Sequence, residues 1–143
     1  FSYMLSSLFI TQAIAEWIGT LDVNRWVLMG FVMLFLLVAG FFLPPVAVIL
    51  MAAPILMPII TAAGFDPIWF AVVLTINMEI GLISPPVGLN LYVINGIAPD
   101  ISLKTILMGS LPFVGCMVLA IILLCIFPNL ATWLPDQVMG AAR

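Results

Sequence analysis

Hydrophobic positions in this chain come in long unbroken runs, and polar positions fall between the runs or at a few sharp interruptions. Five apolar segments result. The first runs from Tyr3 to Leu21 and carries Gln12 and Glu16 in its second half, so it is weakly amphipathic there. A polar turn at Asp22-Val23-Asn24-Arg25 leads to a second segment, Trp26 to Leu43, that is apolar throughout. The third, Pro45 to Ala63, is closed by Gly64 and reset at Asp66-Pro67. The fourth runs from Ile68 to Ala98 with a break at Ser84 to Gly88, and Pro99-Asp100 ends it. Ser102 then suits the N-cap of a last helix, Leu103 to Phe127, long enough to cross a hydrocarbon core of ~30 Å. Residues 128–143 read as a surface tail. Runs this long and continuous predict helices, whereas a membrane barrel would show short alternating segments.

Only Pro44-Pro45 separates the second and third segments, with no polar loop to meet water. A tip of Leu43, Pro44, Pro45 and Val46 is better placed inside protein, because irregular backbone at membrane depth survives only where protein or a water-filled cavity shields it. Residues 26–63 therefore read as a re-entrant helical hairpin. One long helix kinked at the prolines and a pair of tilted spans are the alternatives.

Composition fixes the class. The 143 residues are 66% hydrophobic and 6% charged, with a mean hydropathy of +1.39. A soluble domain carries about a quarter charged residues, so the outer surface here faces lipid. The expected fold is an all-α polytopic membrane protein forming a single membrane domain over 1–143. It opens on Phe1 amid apolar sequence and reads as part of a longer protein. A net charge of −3 and no basic run give nucleic acid nothing to bind. Cys116 and Cys125, nine residues apart, point to opposite helix faces and read as packing residues. The four tryptophans, Trp17, Trp26, Trp69 and Trp133, fall near segment ends, as aromatic anchors at headgroup level do. Arg25 and Arg143 on one side and Lys104 on the other leave the orientation open.

The candidate chemistry lies in a phrase that occurs twice. GFFLPPVAVIL (40–50) and GLISPPVGLNL (81–91) share G-x-x-x-P-P-V-small-x-x-L, pairing Gly40 with Gly81, Ala47 with Gly88 and Leu50 with Leu91. Proline lacks an amide hydrogen and pushes the preceding residue out of the α region. Two in a row free carbonyls that cost several kcal/mol each in lipid unless something satisfies them. A broken helix near the bilayer midplane can offer those carbonyls to a cation. Asn77, Gly81 and Ser84 share one helical face before the break. Asn90 follows it, with Tyr92 and Asn95 on a neighbouring face. The candidate ion or substrate site is Asn77, Gly81, Ser84, Pro85, Gly88 and Asn90, faced by a hairpin tip of Gly40, Pro44, Pro45 and Ala47. Its hard oxygen donors suit Na+ at Gly81, Ser84, Gly88 and Asn90 better than a transition metal. Taken singly, Asn77 and Asn95 read as interhelical hydrogen-bonding residues. Glu79 points away from this face. It is protonated, paired with a residue elsewhere, or near the interface, and proton coupling through it is an alternative. Pro54 and Pro58 share a face and shape the hairpin arm.

GLISPPVGLNLYVINGIA, with the following helix and FPNLATWLP, resembles the C-terminal end of the large permease subunits of TRAP transporters, the DctM-like family. GFFLPPVAVILMAAPILMPIITAAGFDP resembles the hairpin region of the same subunit, except that Pro44 stands where many members carry an acidic residue. The likeness covers essentially the whole chain. It implies an inverted-repeat fold of the ion-transporter superfamily and an elevator mechanism. It also implies Na+-driven symport of carboxylate solutes such as dicarboxylates, sialic acids or 2-oxo acids across the bacterial inner (cytoplasmic) membrane. A periplasmic binding protein would deliver the solute, a small membrane subunit would accompany the large one, and no cofactor beyond the coupling ion is implied. The hairpin would be the one opening to the periplasm, its tip against the broken helix.

Three other readings carry discriminating features. A channel of half-helices would conduct steadily without coupling, and the Asn-Pro-Ala phrase of water channels is missing. An intramembrane enzyme would need Ser with His, or two membrane aspartates, and the chain has neither. A structural subunit would have prolines that only kink.

Overall fold

The computed structural model describes residues 24–85 and 87–139, so the expected first segment at Tyr3 to Leu21 and Pro86 lie outside the described residues. Six helices are described, and each end has a local cause. Helix α1, Arg25–Phe42, begins where the Asn24 side chain accepts from the Trp26 N–H at 3.0 Å. It stops at Leu43, which is extended because Pro44 follows. Helix α2, Pro45–Ala62, starts on proline at its first position, where no amide hydrogen is missed. It ends in a Schellman motif. Gly64, at φ +82°, donates to the Thr61 carbonyl and Phe65 donates to that of Ile60, at 3.0 and 3.1 Å.

Helix α3, Pro67–Ile83, is capped by Asp66, whose carboxylate accepts from the N–H groups of Ile68 and Trp69 at 2.7 and 3.1 Å. It stops at Ser84, again extended before a proline. Helix α4, Leu89–Ile97, follows the break. Helix α5, Leu103–Ile126, opens with the Ser102 hydroxyl accepting from the Thr105 N–H at 3.3 Å. The tail beyond Pro128 is helical as α6, Asn129–Met139.

The helix directions follow from a few contacts. Trp26 meets Phe65 edge to face at 5.3 Å, Phe65 stacks on Trp69 at 5.3 Å, and the Arg25 guanidinium lies over both Trp26 and Phe65. The starts of α1 and α3 and the end of α2 therefore share one end of the molecule. At the other end Gly40 of α1 touches Gly81 of α3. Helices α1 and α3 thus run parallel, and α2 returns antiparallel to them.

Helix α5 runs against α3. The Trp69 indole N–H donates to the Leu124 carbonyl at 2.7 Å, and the Ser110 hydroxyl reaches the Ile83 carbonyl at 3.2 Å. Ser110 is seven residues inside α5, so α5 continues about 10 Å past the level of the break. The hairpin tip, one turn beyond Gly40, comes level with the break and stops short of the start of α5.

Helix α3 is the hub, touching each of the other described helices. It buries Trp69, Phe70, Val73, Leu74, Asn77, Met78, Ile80 and Gly81. Around it, Leu36 of α1 and Ile60 of α2 are fully buried. The outer faces are apolar, and α1, α2 and α5 are each long and apolar enough to cross a membrane.

One expectation is corrected. Trp69 is only 2% exposed, a core residue rather than a headgroup anchor. Position 128 is proline, so the Leu124 carbonyl loses its helical donor, and the indole replaces it. The hairpin tip is not buried by the described residues, with Leu43 44% and Val46 68% exposed. Helix α3 ends at the same level, so nothing in it reaches past Gly40 to cover them. Trp69→Phe is predicted to cost about 1–3 kcal/mol by leaving a buried carbonyl without a donor. A lowered thermal midpoint for that variant, against a matched surface control, checks it.

Candidate ion and substrate site at the broken helix

The break is built from residues that cannot continue a helix. Pro85 and Pro86 carry no amide hydrogen, so the carbonyls of Gly81 and Leu82 lose their helical partners. The next carbonyl, Ile83, is met from outside by the Ser110 hydroxyl, which is shared with the Leu107 carbonyl at 2.8 Å. Ser84 itself is 7% exposed, and its hydroxyl is buried without a hydrogen-bond partner among the described residues. A hydroxyl in that state costs about 1–3 kcal/mol.

Gly88 restarts the chain at φ +55°, the left-handed region where a side chain is strained. A Cβ there would also lie 2.9 Å from the Leu91 side chain and 3.0 Å from the Ser84 carbonyl oxygen. The backbone therefore folds tightly back over Ser84. This turn lies at a point inside the depth spanned by α5. Measured along α5, Ser110 is about 7 Å from the helix midpoint.

The matching phrase does the same on α1. Pro44 and Pro45 free the carbonyls of Gly40 and Phe41. A Cβ on Gly81 would come within 2.8 Å of the Gly40 carbonyl carbon and 3.0 Å of its oxygen. The two glycines that the repeated phrase aligns are thus in contact, with the Gly81 α-hydrogen directed at a carbonyl that proline has orphaned. Such Cα–H···O contacts recur where helices cross closely.

The remaining candidates separate. Asn77 is buried, but it lies two turns before the break, about 10 Å along α3. Its amide donates to the Met33 carbonyl at 2.9 Å, clamping α3 to α1. Asn90 is exposed in the first turn of α4, Pro85 is exposed, and Ala47 is half-buried on α2. Asn95 donates to the Ile101 carbonyl at 2.9 Å and ties α4 to the turn before α5. Tyr92 is exposed. Ser84, Gly81 and Gly88 meet at the break, faced by Gly40, whereas Asn77 and Asn95 serve helix contacts.

Ser110 is a participant that the pattern reading missed. Its only sequence signal is a lone hydroxyl beside Gly109 in an otherwise apolar span. Glu79 lies exposed on the opposite side of α3 from Gly81.

Three helices long enough to span a bilayer, packed around a shorter helix that a Pro-Pro motif interrupts, define a polytopic membrane protein. The chain belongs to the DctM component family of tripartite ATP-independent periplasmic transporters, whose family model matches residues 1–130. It is 44% identical over 107 residues to the C4-dicarboxylate TRAP transporter large permease protein of Vibrio cholerae serotype O1, covering 75% of this chain and 23% of that protein. It is 31% identical over 140 residues to the sialic acid large permease of the same organism, covering 98% and 33%. Against the ectoine large permease of Halomonas elongata it is 33% identical over 136 residues, covering 95% and 32%. The chain thus spans a third or less of the length of these relatives.

The crossing makes an asymmetric prediction. Gly81→Ala drives a methyl into backbone that cannot yield and is expected to cost about 1–3 kcal/mol. The atoms nearest a Cβ on Gly40 are those of the Met78 side chain and Gly81 Cα at 3.5 to 3.7 Å, which is ordinary contact. Gly40→Ala is therefore expected to be neutral or to stabilise by up to about 1 kcal/mol, from helix propensity. Thermal midpoints of the two variants in the full-length permease check the contrast.

Proposed function

We propose that this chain supplies the cation-binding half of a Na+-coupled carrier that brings small carboxylate solutes across the bacterial inner membrane. A periplasmic binding protein delivers the solute, and a small membrane subunit completes the permease. The observation that carries the reading is the Ser84 hydroxyl, buried and without a hydrogen-bond partner among the described residues, in a break already rich in freed carbonyls. A monovalent cation with a preference for oxygen satisfies all of these groups at once, using Ser84 and the carbonyls around Gly81 and Gly88. Asn90, one turn on, closes the shell from α4.

Each cation entering gains about 2.3 kcal/mol per 100 mV of membrane potential. Cation binding orders the loop between α3 and α4, and that ordering is what couples the gradient to closure over solute. The hairpin of α1 and α2 is read as re-entrant, because its tip stops level with the break while α5 runs on by two turns. Carboxylate solutes are favoured by the dicarboxylate and sialic acid specificities in the names of the relatives above. The ectoine relative shows that a zwitterionic solute belongs in the same screen.

The test is uptake of candidate solutes into proteoliposomes holding the full-length permease, its small subunit and its binding protein. Uptake is expected to require an inward Na+ gradient and to fail when K+ replaces Na+. Ser84→Ala is expected to weaken the Na+ dependence roughly ten- to hundredfold, the worth of one charge-assisted bond of about 1.5–3 kcal/mol. Uptake indifferent to Na+ but driven by a proton gradient would overturn the cation site in favour of proton coupling, and steady uncoupled conduction would favour a channel.

A further inference from the structure

Helix α3 carries a second polar feature, on the face turned away from the break. Ala71, Thr75 and Glu79 recur every fourth residue, so they form one stripe, and all three are exposed. The Thr75 hydroxyl is spent on the Ala71 carbonyl of its own helix at 2.8 Å. No described residue donates to the Glu79 carboxylate.

Its depth follows from the bonds already described. The Ile83 carbonyl is level with Ser110, and Glu79 is four residues nearer the start of α3. That puts it level with Val114, at the middle of the 24-residue α5. A carboxylate at that depth cannot face lipid. Nor can this chain neutralise it from within the described residues. Arg25 sits at the far start of α1, and Lys104 lies about 15 Å along α5 from Val114. The small Ala71 and Thr75 leave room for another helix to approach closely. The permease relatives are three or more times as long as the stretch that matches here, so most of the polypeptide lies outside it.

We propose that the Ala71–Thr75–Glu79 face is an internal interface of the permease. A transmembrane helix of the same large subunit, outside this chain, covers it and brings a lysine or arginine to Glu79. The stripe then has two parts with separate jobs. The small residues set the distance between the helices, and the ion pair sets which helix is accepted and in what register. The face directed at α1 serves the break, while this one holds the broken helix to the rest of the protein. The proposal does not depend on Na+ coupling.

The experiment places the photo-crosslinking residue p-benzoylphenylalanine at Thr75 of the full-length permease, with its small subunit, in lipid nanodiscs, leaving Glu79 intact. The expected adduct is a peptide of the large subunit from an apolar segment that contains lysine or arginine. Adducts confined to lipid, adducts confined to the small subunit, or no adduct at all would each overturn the proposal. A second arm reads assembly rather than transport. Glu79→Lys is expected to lower the yield of monodisperse permease about tenfold, and reversing the identified cation to glutamate in the same protein is expected to restore it. Wild-type yield and thermal midpoint for Glu79→Leu would also overturn it.

Discussion

Inside a bilayer every backbone N–H and C=O must find a partner within the protein, and the prolines of this chain repeatedly take partners away. The Pro-Pro pairs free four carbonyls, those of Gly40, Phe41, Gly81 and Leu82, within a small region where α1 and α3 cross. Pro128 frees that of Leu124 at the opposite end, and Pro54, Pro58 and Pro112 free others within α2 and α5. Three features of the packing answer such losses. The Trp69 indole replaces the donor that Leu124 lost. Ser110 comes across from α5 to the strand of backbone entering the break. The Gly40 carbonyl is covered by the α-hydrogen of Gly81, an approach that no larger residue at 81 would permit.

The same phrase is put to two different uses. After Pro44-Pro45 the chain enters a helix at once and turns back along α1. After Pro85-Pro86 it passes through Val87 and Gly88 and runs on beyond the end of α3. Among the positions that differ between the phrases are 43 against 84, leucine against serine, and 47 against 88, alanine against glycine. Gly88 adopts a left-handed conformation that would strain alanine, and Ala47 sits inside a helix where its methyl group is welcome. The glycine at 88 thus suits a linker between two helices, and the alanine at 47 suits a helix that starts directly after the prolines. The Asn77 clamp onto Met33, two turns below, holds the crossing in register without entering it.

Much of this was legible in the chain. The ends of α1 to α5 lie within one residue of the hydrophobic pattern, because prolines, a Schellman glycine and capping Asn, Asp and Ser residues mark them locally, whereas α6 forms in the stretch read as a surface tail. The break at 84–88 was legible for the same reason. What periodicity could not convey was partnership across the fold. Trp69 lies near a segment end like the other tryptophans, yet only the position of Leu124 explains why it is buried. Asn77 shares a face with Gly81 and Ser84, but faces are defined by angle and the site is defined by depth. Two helical turns separate Asn77 from the break. Ser110 is a single hydroxyl in an apolar span, and its relevance depends on α5 lying against α3. The exposed tip at Leu43 and Val46 shows the opposite limit. The composition requires cover there, and none of the described helices provides it.

The account turns on the claim that a cation organises the break between α3 and α4. Hydrogen–deuterium exchange of the purified full-length permease, compared in Na+ and in K+ at equal ionic strength, tests it most directly. Slower exchange in Na+ at the amides of residues 87–91, with the amides of α5 beyond Val114 unchanged, is the predicted result. Identical exchange at 87–91 in the two salts would contradict the claim, because a cation bound by Ser84 and its neighbouring carbonyls must restrict the loop that carries them.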